Sequence, residues 1–472
     1  MTGSVFCGKI VRAFLVAGIM GTLAAGSGYA ETRPPAPETA ARQGVSISSA
    51  MTQEKVLKSG DGRVTVAVTL TAPDAIQNAP VSPPAADLVV VLDRSGSMSG
   101  QKIEDAKNAI SRLLDQLGPE DRLGLVVYDD RVQTLSPLVS VTGGHYQTLR
   151  HLVSTIQPGG STDLGGGLAQ GIHLMNDYPD SRRQRKVMLV SDGHANCGIT
   201  DPAALGRMAS SAVENQFSVS TLGVGLQFNE LLMTTIADHG AGTYHFLEDP
   251  ASFARIFESE LFASREVAMS DVRIQIPVMP GIQVISASGY PLRHENDGTV
   301  FFPGDLRSGQ SRTFYITFQV PTAVEQTIDL GRIQVRFSKD STPQTLSLPA
   351  SLTVTCVADP AAVMASIRKE AWGDKVVRED FGQLKAEVAE DIRKGMKAQA
   401  KQRIQEYAEK QAAINVVVQS EAVTRNLSVD VRALDADVDQ TFTGTPAKVA
   451  QQQQQTSKTL QHESYQQLRD KK

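Results

Sequence analysis

Between Asp87 and Leu261 the sequence alternates short, fully apolar strands with amphipathic helices. A strand that is apolar on both faces needs a covering layer on each side, and the helices between such strands supply both layers. The first connecting helix has apolar residues every three or four positions, and Gly118 and Pro119 end it. The pattern predicts a doubly wound α/β domain over residues 85–262, with strands in the segments DLVVVLD, LGLVVYD, VMLVSD and FSVSTLGVG.

Polar side chains follow these elements at one edge of the predicted sheet. Asp93, Ser95 and Ser97 lie in the loop after the first strand, and Asp192 ends another apolar strand. Thr162 precedes a further helix in the segment GGSTDLGGGL. In open α/β sheets ligands bind at the carboxyl ends of the strands. Three loops that offer hard oxygen ligands at this edge therefore predict a site for a divalent metal ion.

The three segments together match the metal-ion-dependent adhesion site of the von Willebrand factor type A family, which the chain resembles from about Asp87 to Leu261. The resemblance implies a Rossmann-like fold for this domain. It also implies that three hydroxyl groups contact the ion, and that two carboxylates contact it directly or through water. The implied metal ligands are Asp93, Ser95, Ser97, Thr162 and Asp192.

The composition of this ligand set favours Mg²⁺, with Mn²⁺ and Ca²⁺ as alternatives. Neutral hydroxyls and only two carboxylates leave the ion positively charged and its coordination open. Ca²⁺ is expected to take more carboxylates and carbonyls than these loops offer, and Zn²⁺ prefers His or Cys. The resemblance implies that an Asp or Glu of a protein partner completes the shell.

Other chemistries have less support in the sequence. GGGLAQG is not followed by Gly-Lys-Ser/Thr, which disfavours a phosphate-binding loop. His194 and Cys197 follow Asp192, but no second zinc-type pair accompanies them. Arg94 either steers an acidic partner or simply points to solvent or to a nearby acid. The chain has no Gly-x-Ser-x-Gly elbow, so we predict that it is not an enzyme; the alternatives are a metal-assisted hydrolase and an envelope assembly factor whose metal is only structural.

The α/β domain is flanked by segments with a different pattern. Residues 263–358 lose the helical pattern and show strands with Gly, Pro and Asn-Asp-Gly turns, which predicts a β-sandwich. Residues 55–84 contain an alternating strand, GRVTVAVTLTAP, which we expect to pair with the sandwich so that the α/β domain is an insertion. Residues 359–440 are rich in Ala, Gln, Lys and Glu, which predicts helices. The tail, residues 441–472 with QQQQQ, is interpreted as low-complexity and mobile.

The amino-terminal residues resemble a secretory signal. Lys9 and Arg12 precede the apolar stretch AFLVAGIMGTLAAG, and small residues lead to a favoured cleavage site after Ala30. An uncleaved membrane anchor is the alternative, and no other run approaches the length of a span. Residues 1–30 are therefore predicted to direct the protein to the periplasm or outside the cell, and residues 31–54 to form a disordered linker.

Charge and cysteines constrain the partners and the compartment further. The chain carries 46 Lys and Arg against 51 Asp and Glu, so there is no basic field to attract nucleic acid. Cys7 would leave with the signal, and Cys197 and Cys356 either form a disulfide or remain as free thiols.

The order of segments resembles exported bacterial proteins related to calcium-activated chloride channel regulators and inter-alpha-trypsin inhibitor heavy chains. The metalloprotease of the animal regulators needs His-Glu-x-x-His, and the chain has no such string. Neither proteolysis nor transport is therefore expected. The predicted function is that of an exported binding module, used in adhesion or as a scaffold, that holds a metal and grips a carboxylate of a protein partner.

Overall fold

A computed structural model describes residues 38–42, 44–74, 85–248 and 252–470. The predicted signal, residues 1–30, lies outside the described residues. The first described elements are strands, and in the segments VSISSAM and RVTVAVTLT apolar residues alternate with small polar ones. They are β1 (Glu38–Arg42), β2 (Val45–Met51), β3 (Lys55–Leu57) and β4 (Arg63–Thr71).

The next elements form the α/β domain, and strands and helices alternate along most of its length. They are β5 (Ala86–Asp93), α1 (Gln101–Gln116), β6 (Arg122–Tyr128), β7 (Val132–Ser140), α2 (Gly143–Ser154), α3 (Leu164–Asn176), β8 (Gln184–Ser191), α4 (Pro202–Glu214), β9 (Ser218–Val224), α5 (Glu230–His239), β10 (Ala241–Leu247) and α6 (Phe253–Arg265).

The α/β domain has one six-stranded sheet in the order β10-β9-β8-β5-β6-β7. All neighbours are parallel except the edge strand β7, which runs antiparallel to β6. Side chains of β5 alternate between two apolar layers: Val90 packs with α1, α2 and α6, whereas Val89 packs with α3, α4 and α5. The predicted doubly wound, Rossmann-like α/β fold is confirmed.

A region of strands follows the α/β domain. Its members are β11 (Val267–Pro277), β12 (Gln283–Ala287), β13 (Arg293–Glu295), β14 (Gly298–Phe301), β15 (Leu306–Arg307), β16 (Ser311–Gln319), β17 (Gln326–Gly331), β18 (Gln334–Lys339), β19 (Thr342–Ser347) and β20 (Leu352–Val357). The two main sheets have the strand orders β1-β2-β4-β16-β12 and β13-β14-β11-β18-β19, and β17, β20 and β3 form a small third sheet. One continuous apolar core includes residues of all three sheets.

Strand β4 connects the segment before the α/β domain to this region. It pairs antiparallel with β16 along its whole length, from Arg63 opposite Gln319 to Thr71 opposite Ser311. Thr–Thr hydrogen bonds at 2.9 Å cross the pair on its polar face. The chain therefore leaves the β region after β4 and returns to it at β11, and the α/β domain is inserted between them, as the alternating pattern predicted.

The structure contradicts part of the predicted linker, residues 31–54. Residues 38–42 and 45–51 are strands β1 and β2, and β2 pairs with β4 from Ser46 opposite Thr71 to Met51 opposite Val66. Val45 and Ile47 are fully buried in the sandwich core. The many small polar residues concealed this strand because only two large apolar side chains are needed on its inner face.

The remaining elements are helices, as predicted for residues 359–440. Two π-helical turns, Val376–Asp380 and Asn426–Asp430, interrupt them. The helices are α7 (Pro360–Ala365), α8 (Lys369–Lys375), α9 (Phe381–Arg393), α10 (Lys397–Val418), α11 (Glu421–Arg425), α12 (Val431–Thr441) and α13 (Pro446–Arg469).

The prediction of a mobile, low-complexity tail over residues 441–472 is wrong, because α13 spans most of it. Gln, Ala and Lys are good helix formers, and Thr445 caps the helix with Pro446 in its first turn. The apolar stripe is sparse, yet Leu460 and Tyr465 are 4% exposed. Leu460 packs against the helical core that includes α9, and Tyr465 packs on the α/β domain.

Polar contacts also join α13 to the α/β domain. The backbone N–H of Tyr244 donates to the Tyr465 hydroxyl at 3.1 Å. Lys458 donates to the carbonyl of Phe228 at 2.8 Å, and its ammonium lies 3.5 Å from the carboxylate of Glu230. Burial raises the pKa of Glu230 to about 7, although Lys458 and the Tyr244 hydroxyl act in the opposite direction.

The raised pKa of Glu230 predicts a pH-dependent stability. The contribution of this group is fully present below its unfolded pKa of 4.5 and is lost as the pH rises through its folded value. Between about pH 5 and pH 8 the wild type should therefore lose on the order of 1–3 kcal/mol more stability than Glu230→Gln. Urea unfolding of both proteins at the two pH values measures this difference, and equal losses would contradict it.

Two further predictions concern the described residues. Cys197 and Cys356 are free thiols, the first half-buried and the second buried in β20, so the alternative of a disulfide is not realised. No helix in the described part of the chain combines the length and the apolarity that a membrane span requires.

Candidate metal centre

Asp93 ends the central strand β5, all eight residues of which are buried. One carboxylate oxygen, Oδ1, accepts a hydrogen bond from the Ser95 N–H at 2.8 Å, and Oδ2 accepts one from the Ser191 hydroxyl at 2.7 Å. Burial raises the pKa of Asp93 to about 6. The two hydrogen bonds fix the orientation of the carboxylate, but they do not offset the cost of burying its charge.

Hydrogen bonds connect the first loop to the strand beside β5. The hydroxyls of Ser95 and Ser97 are 3.1 Å apart, and Ser97 donates to Oδ1 of Asp192 at 2.7 Å. Asp192 directly follows β8, which is parallel to β5 and adjacent to it. The order of strands in the sheet thus places both carboxylates and both serines at one carboxyl edge.

Thr162 joins this group from the loop before α3. Its backbone N–H donates a hydrogen bond to the side-chain oxygen of Asn196 at 2.8 Å, which fixes the position of this residue. A β-carbon built on Gly193 would lie 3.5 Å from the Ser97 hydroxyl and 3.9 Å from the Thr162 hydroxyl. The two hydroxyls therefore approach Gly193 together, and the structure gathers all five residues predicted from the sequence.

Close backbone contacts hold the first and second loops together. The Gly96 N–H donates to the Gly160 carbonyl at 3.0 Å, and the Gly159 N–H donates to the Arg94 carbonyl at 2.7 Å. A β-carbon on Gly159 would lie 2.2 Å from a carboxylate oxygen of Asp129, so no larger residue fits at that position. Arg94 pairs with Asp129 at 3.0 Å, which supports the interpretation that this side chain points to a nearby acid.

Sequence reasoning missed two side chains that contact the carboxylates. Lys102, in the first turn of α1, contacts Asp192 through its ammonium and lies 3.3 Å from the Ser97 carbonyl. Ser191 donates to Asp93 from the last position of β8. Ser191 directly precedes the predicted ligand Asp192, which is a usable signal, whereas Lys102 lies five residues beyond Ser97 and its contact depends on the direction of a flexible side chain.

These residues fit a hard divalent cation. The side chains of Asp93 and Asp192 are at the base of the site, where the residues are 0% and 1% exposed. A divalent cation would stabilise the charged form of Asp93, whose pKa is raised by burial and, to a smaller extent, by the neighbouring carboxylate of Asp192. Within the described ranges, no group of three or more His, Cys, Asp or Glu side chains is arranged to hold a metal. An ion at this edge would therefore depend on the three hydroxyls.

Comparisons with solved structures show the same fold. A von Willebrand factor type A protein from Catenulispora acidiphila has a TM-score of 0.66 and 18% sequence identity, covering 92% of this chain and 98% of that one. At this identity the likeness shows the fold alone. It extends beyond the α/β domain, because most of both chains is superposed.

Sequence comparisons assign the family of the α/β domain. The chain is 28% identical over 240 residues to the protein YfbK of Escherichia coli (strain K12), covering 49% of this chain and 41% of that protein. It is 29% identical over 225 residues to human inter-alpha-trypsin inhibitor heavy chain H3, covering 44% and 23%. The chain thus spans less than half the length of these two relatives. The family model for the von Willebrand factor type A domain matches residues 87–259, and this part of the chain is therefore a von Willebrand factor type A domain.

Proposed function

We propose that the protein is an exported, metal-dependent protein-binding module that acts in adhesion or as a scaffold. Domains of this family are typically metal-dependent protein-interaction modules. The observation that carries the proposal is the convergence of three loops on one sheet edge, where two buried carboxylates and three hydroxyls face one another. The site of action is the periplasm or the exterior of the cell, to which the predicted signal would direct the chain.

The proposed ion is Mg²⁺, with Mn²⁺ or Ca²⁺ as alternatives. Asp93, Ser95, Ser97, Thr162 and Asp192 would hold it. When bound, the ion would supply a Lewis-acidic centre that favours a further oxygen ligand, because five protein ligands do not fill the octahedral shell that Mg²⁺ prefers. The ligand chemistry that matches this centre is an Asp or Glu carboxylate of a partner protein.

The protein's own residues prepare the site for binding. Asp93 is oriented by its two hydrogen bonds, and Ser97 is oriented by donating to Asp192. The Lys102 ammonium adds positive charge beside Asp192 and would attract an approaching carboxylate. The proposal is a binding role without catalysis, because relatives such as the heavy chains are generally non-enzymatic.

Affinity capture tests the proposal. The immobilised protein in Mg²⁺ should retain a partner from the native envelope fraction, and EDTA should release it, because the ion bridges the two proteins. Asp192→Ala should retain none. A partner whose retention is indifferent to EDTA and to this substitution would contradict the proposal.

A purely structural metal makes a different prediction in the same experiments. Mg²⁺ would then raise the unfolding temperature, because it binds only the folded state, while Asp192→Ala would leave the set of captured proteins unchanged. Thermal unfolding with and without Mg²⁺, measured beside the capture experiment, separates the two functions.

A further inference from the structure

A cleft lies above the candidate metal centre, between the α/β domain and the helices of the carboxyl-terminal region. Ser97, Thr162 and Asp192 lie on one side, and the other side includes Arg393 at the end of α9 and five residues of α13. Its volume is about 710 Å³, which is within the range of about 300–1,000 Å³ that is common for ligand sites. The metal centre therefore does not face a flat, open surface.

The α13 wall of the cleft is fixed to the α/β domain. The Lys458 ammonium donates to the Phe228 carbonyl and lies 3.8 Å from the centre of the Phe228 ring. Phe228 itself lines the cleft beside the loops that carry Ser97, Thr162 and Asp192, here called the metal loops. A cation over an aromatic ring and a hydrogen bond to the same residue hold the helix in place, so the cleft is a built feature of the fold.

The α13 wall carries no carboxylate among the described residues that line the cleft. It presents Ala450, Gln453, Gln454, Ser457 and Lys458. A helix that took the place of the partner at the ion would need an Asp or Glu there. The described residues of this wall therefore supply no carboxylate that would compete with that of a partner.

The glutamine tract supplies the groups that an extended peptide needs. Each glutamine amide offers both a donor and an acceptor, and the backbone of an extended peptide carries unpaired N–H and C=O groups that must be satisfied on binding. Gln453 and Gln454 line the cleft across from the metal loops. Their amides can pair with such a backbone whatever its side chains are.

The cations around the cleft each have a carboxylate partner within the protein. Besides Asp192, which is a proposed metal ligand, the charged side chains that line the described part of the cleft are Arg393 and Lys458. Arg393 pairs with Glu390, Lys458 lies 3.5 Å from the carboxylate of Glu230, and Lys102 contacts Asp192. The proposed ion is therefore the centre that would select an acidic ligand.

We infer that the ligand of the metal centre is a flexible acidic segment of a protein, which enters the cleft in an extended form. One carboxylate would reach the ion, and the backbone would pair with Gln453 and Gln454. The inference rests on the proposed function and narrows it, because a rigid, flat protein surface could not enter between α13 and the metal loops.

A labelled peptide tests the inference in the full-length protein. The probe is a short fluorescein-labelled peptide with one aspartate between glycine and serine residues, and the same peptide with asparagine is its control. Fluorescence anisotropy in Mg²⁺ should show binding of the aspartate peptide only. Gln454→Trp, which fills the cleft from an exposed position, should weaken binding by about tenfold or more. Gln451→Trp places the same change on an exposed residue of α13 outside the cleft and should have no effect.

The outcomes separate the inference from the proposed function. Titration calorimetry should show that Gln454→Trp retains the Mg²⁺ affinity of the wild type. If EDTA and Asp192→Ala abolish peptide binding but Gln454→Trp does not change it, the metal function stands and the cleft inference is overturned. If peptide binding survives EDTA, the proposed function itself fails. If no aspartate peptide binds, the inference of a flexible ligand is overturned, and the capture experiment decides the function.

Discussion

Replacing Asp192 with alanine should weaken Mg²⁺ binding by more than about a hundredfold, because loss of a ligand should exceed the tenfold to hundredfold effects of groups that only support ligands. The Asp192 carboxylate is buried and accepts a hydrogen bond from the Ser97 hydroxyl. Its loss removes one ligand and the orientation of a second. Isothermal titration calorimetry with Mg²⁺ measures the change directly.

Replacing Asp192 gives a clearer test of metal binding than replacing Asp93. Asp93 accepts from the Ser95 N–H and from Ser191 in the buried end of the central strand, so alanine there leaves two donors without a partner and also disturbs the fold. The partners that Asp192→Ala leaves behind are Lys102, whose side chain is 32% exposed, and the exposed Ser97, so both can be hydrated. Circular dichroism should therefore show an unchanged fold.

A matched control removes a carboxylate from the same domain. Asp115 lies near the end of α1, the helix that starts beside the metal loops, about 20 Å along the helix axis from its first turn. Asp115→Ala should leave the affinity for Mg²⁺ unchanged. Wild-type affinity in Asp192→Ala would mean that the ion, if it binds, is held elsewhere.

The convergence of these side chains was predictable because each candidate ligand belongs to a pattern. Asp93 and Asp192 follow fully apolar strands, and the topology of parallel strands places their carboxyl ends at one edge. The contact of Lys102 with Asp192 was not predictable in the same way, because it depends on the direction of one flexible side chain. Its position along the chain shows only that it is near.

The carboxyl-terminal region was harder to predict for a different reason. The tract QQQQQ has the composition of a disordered segment, and the few apolar residues after it, such as Leu460 and Tyr465, do not form a continuous stripe. Their partners lie on α9 and on the α/β domain, far away in sequence. A helix stabilised by several distant surfaces leaves little signal in its own sequence, because tertiary contacts supply most of its stability.

The last turn of α13 is the point where three parts of the fold meet. The Arg469 guanidinium donates to Oδ1 of Asp238 in α5 at 3.2 Å, to the Ser288 carbonyl at 3.2 Å and to the Gly289 carbonyl at 2.7 Å. Arg312 of β16 donates to the Arg469 carbonyl at 3.0 Å. One buried arginine therefore joins the helical region, the α/β domain and the sandwich.

Arg469→Ala should destabilise the protein by about 3–5 kcal/mol, because it leaves the buried carboxylate of Asp238 without its cation. Two backbone carbonyls lose a donor as well. Urea unfolding measures the effect, and Arg432→Ala, an exposed arginine on α12, should change stability by less than about 0.5 kcal/mol. Arg469→Lys should fall between the two, because it keeps the charge but not the planar fork of donors.

A double variant separates the loss of the ion pair from the loss of packing. Replacing Arg469 by methionine and Asp238 by leucine together removes both charges, so the double variant should be more stable than Arg469→Ala, although the carbonyls of Ser288 and Gly289 remain unpaired. Equal stability of Arg469→Ala and Arg432→Ala would show that the junction contributes little.

The junction should also affect the cleft, because α13 forms one of its walls. If the junction stabilises α13, Arg469→Ala should lose peptide binding at a lower urea concentration than the wild type does.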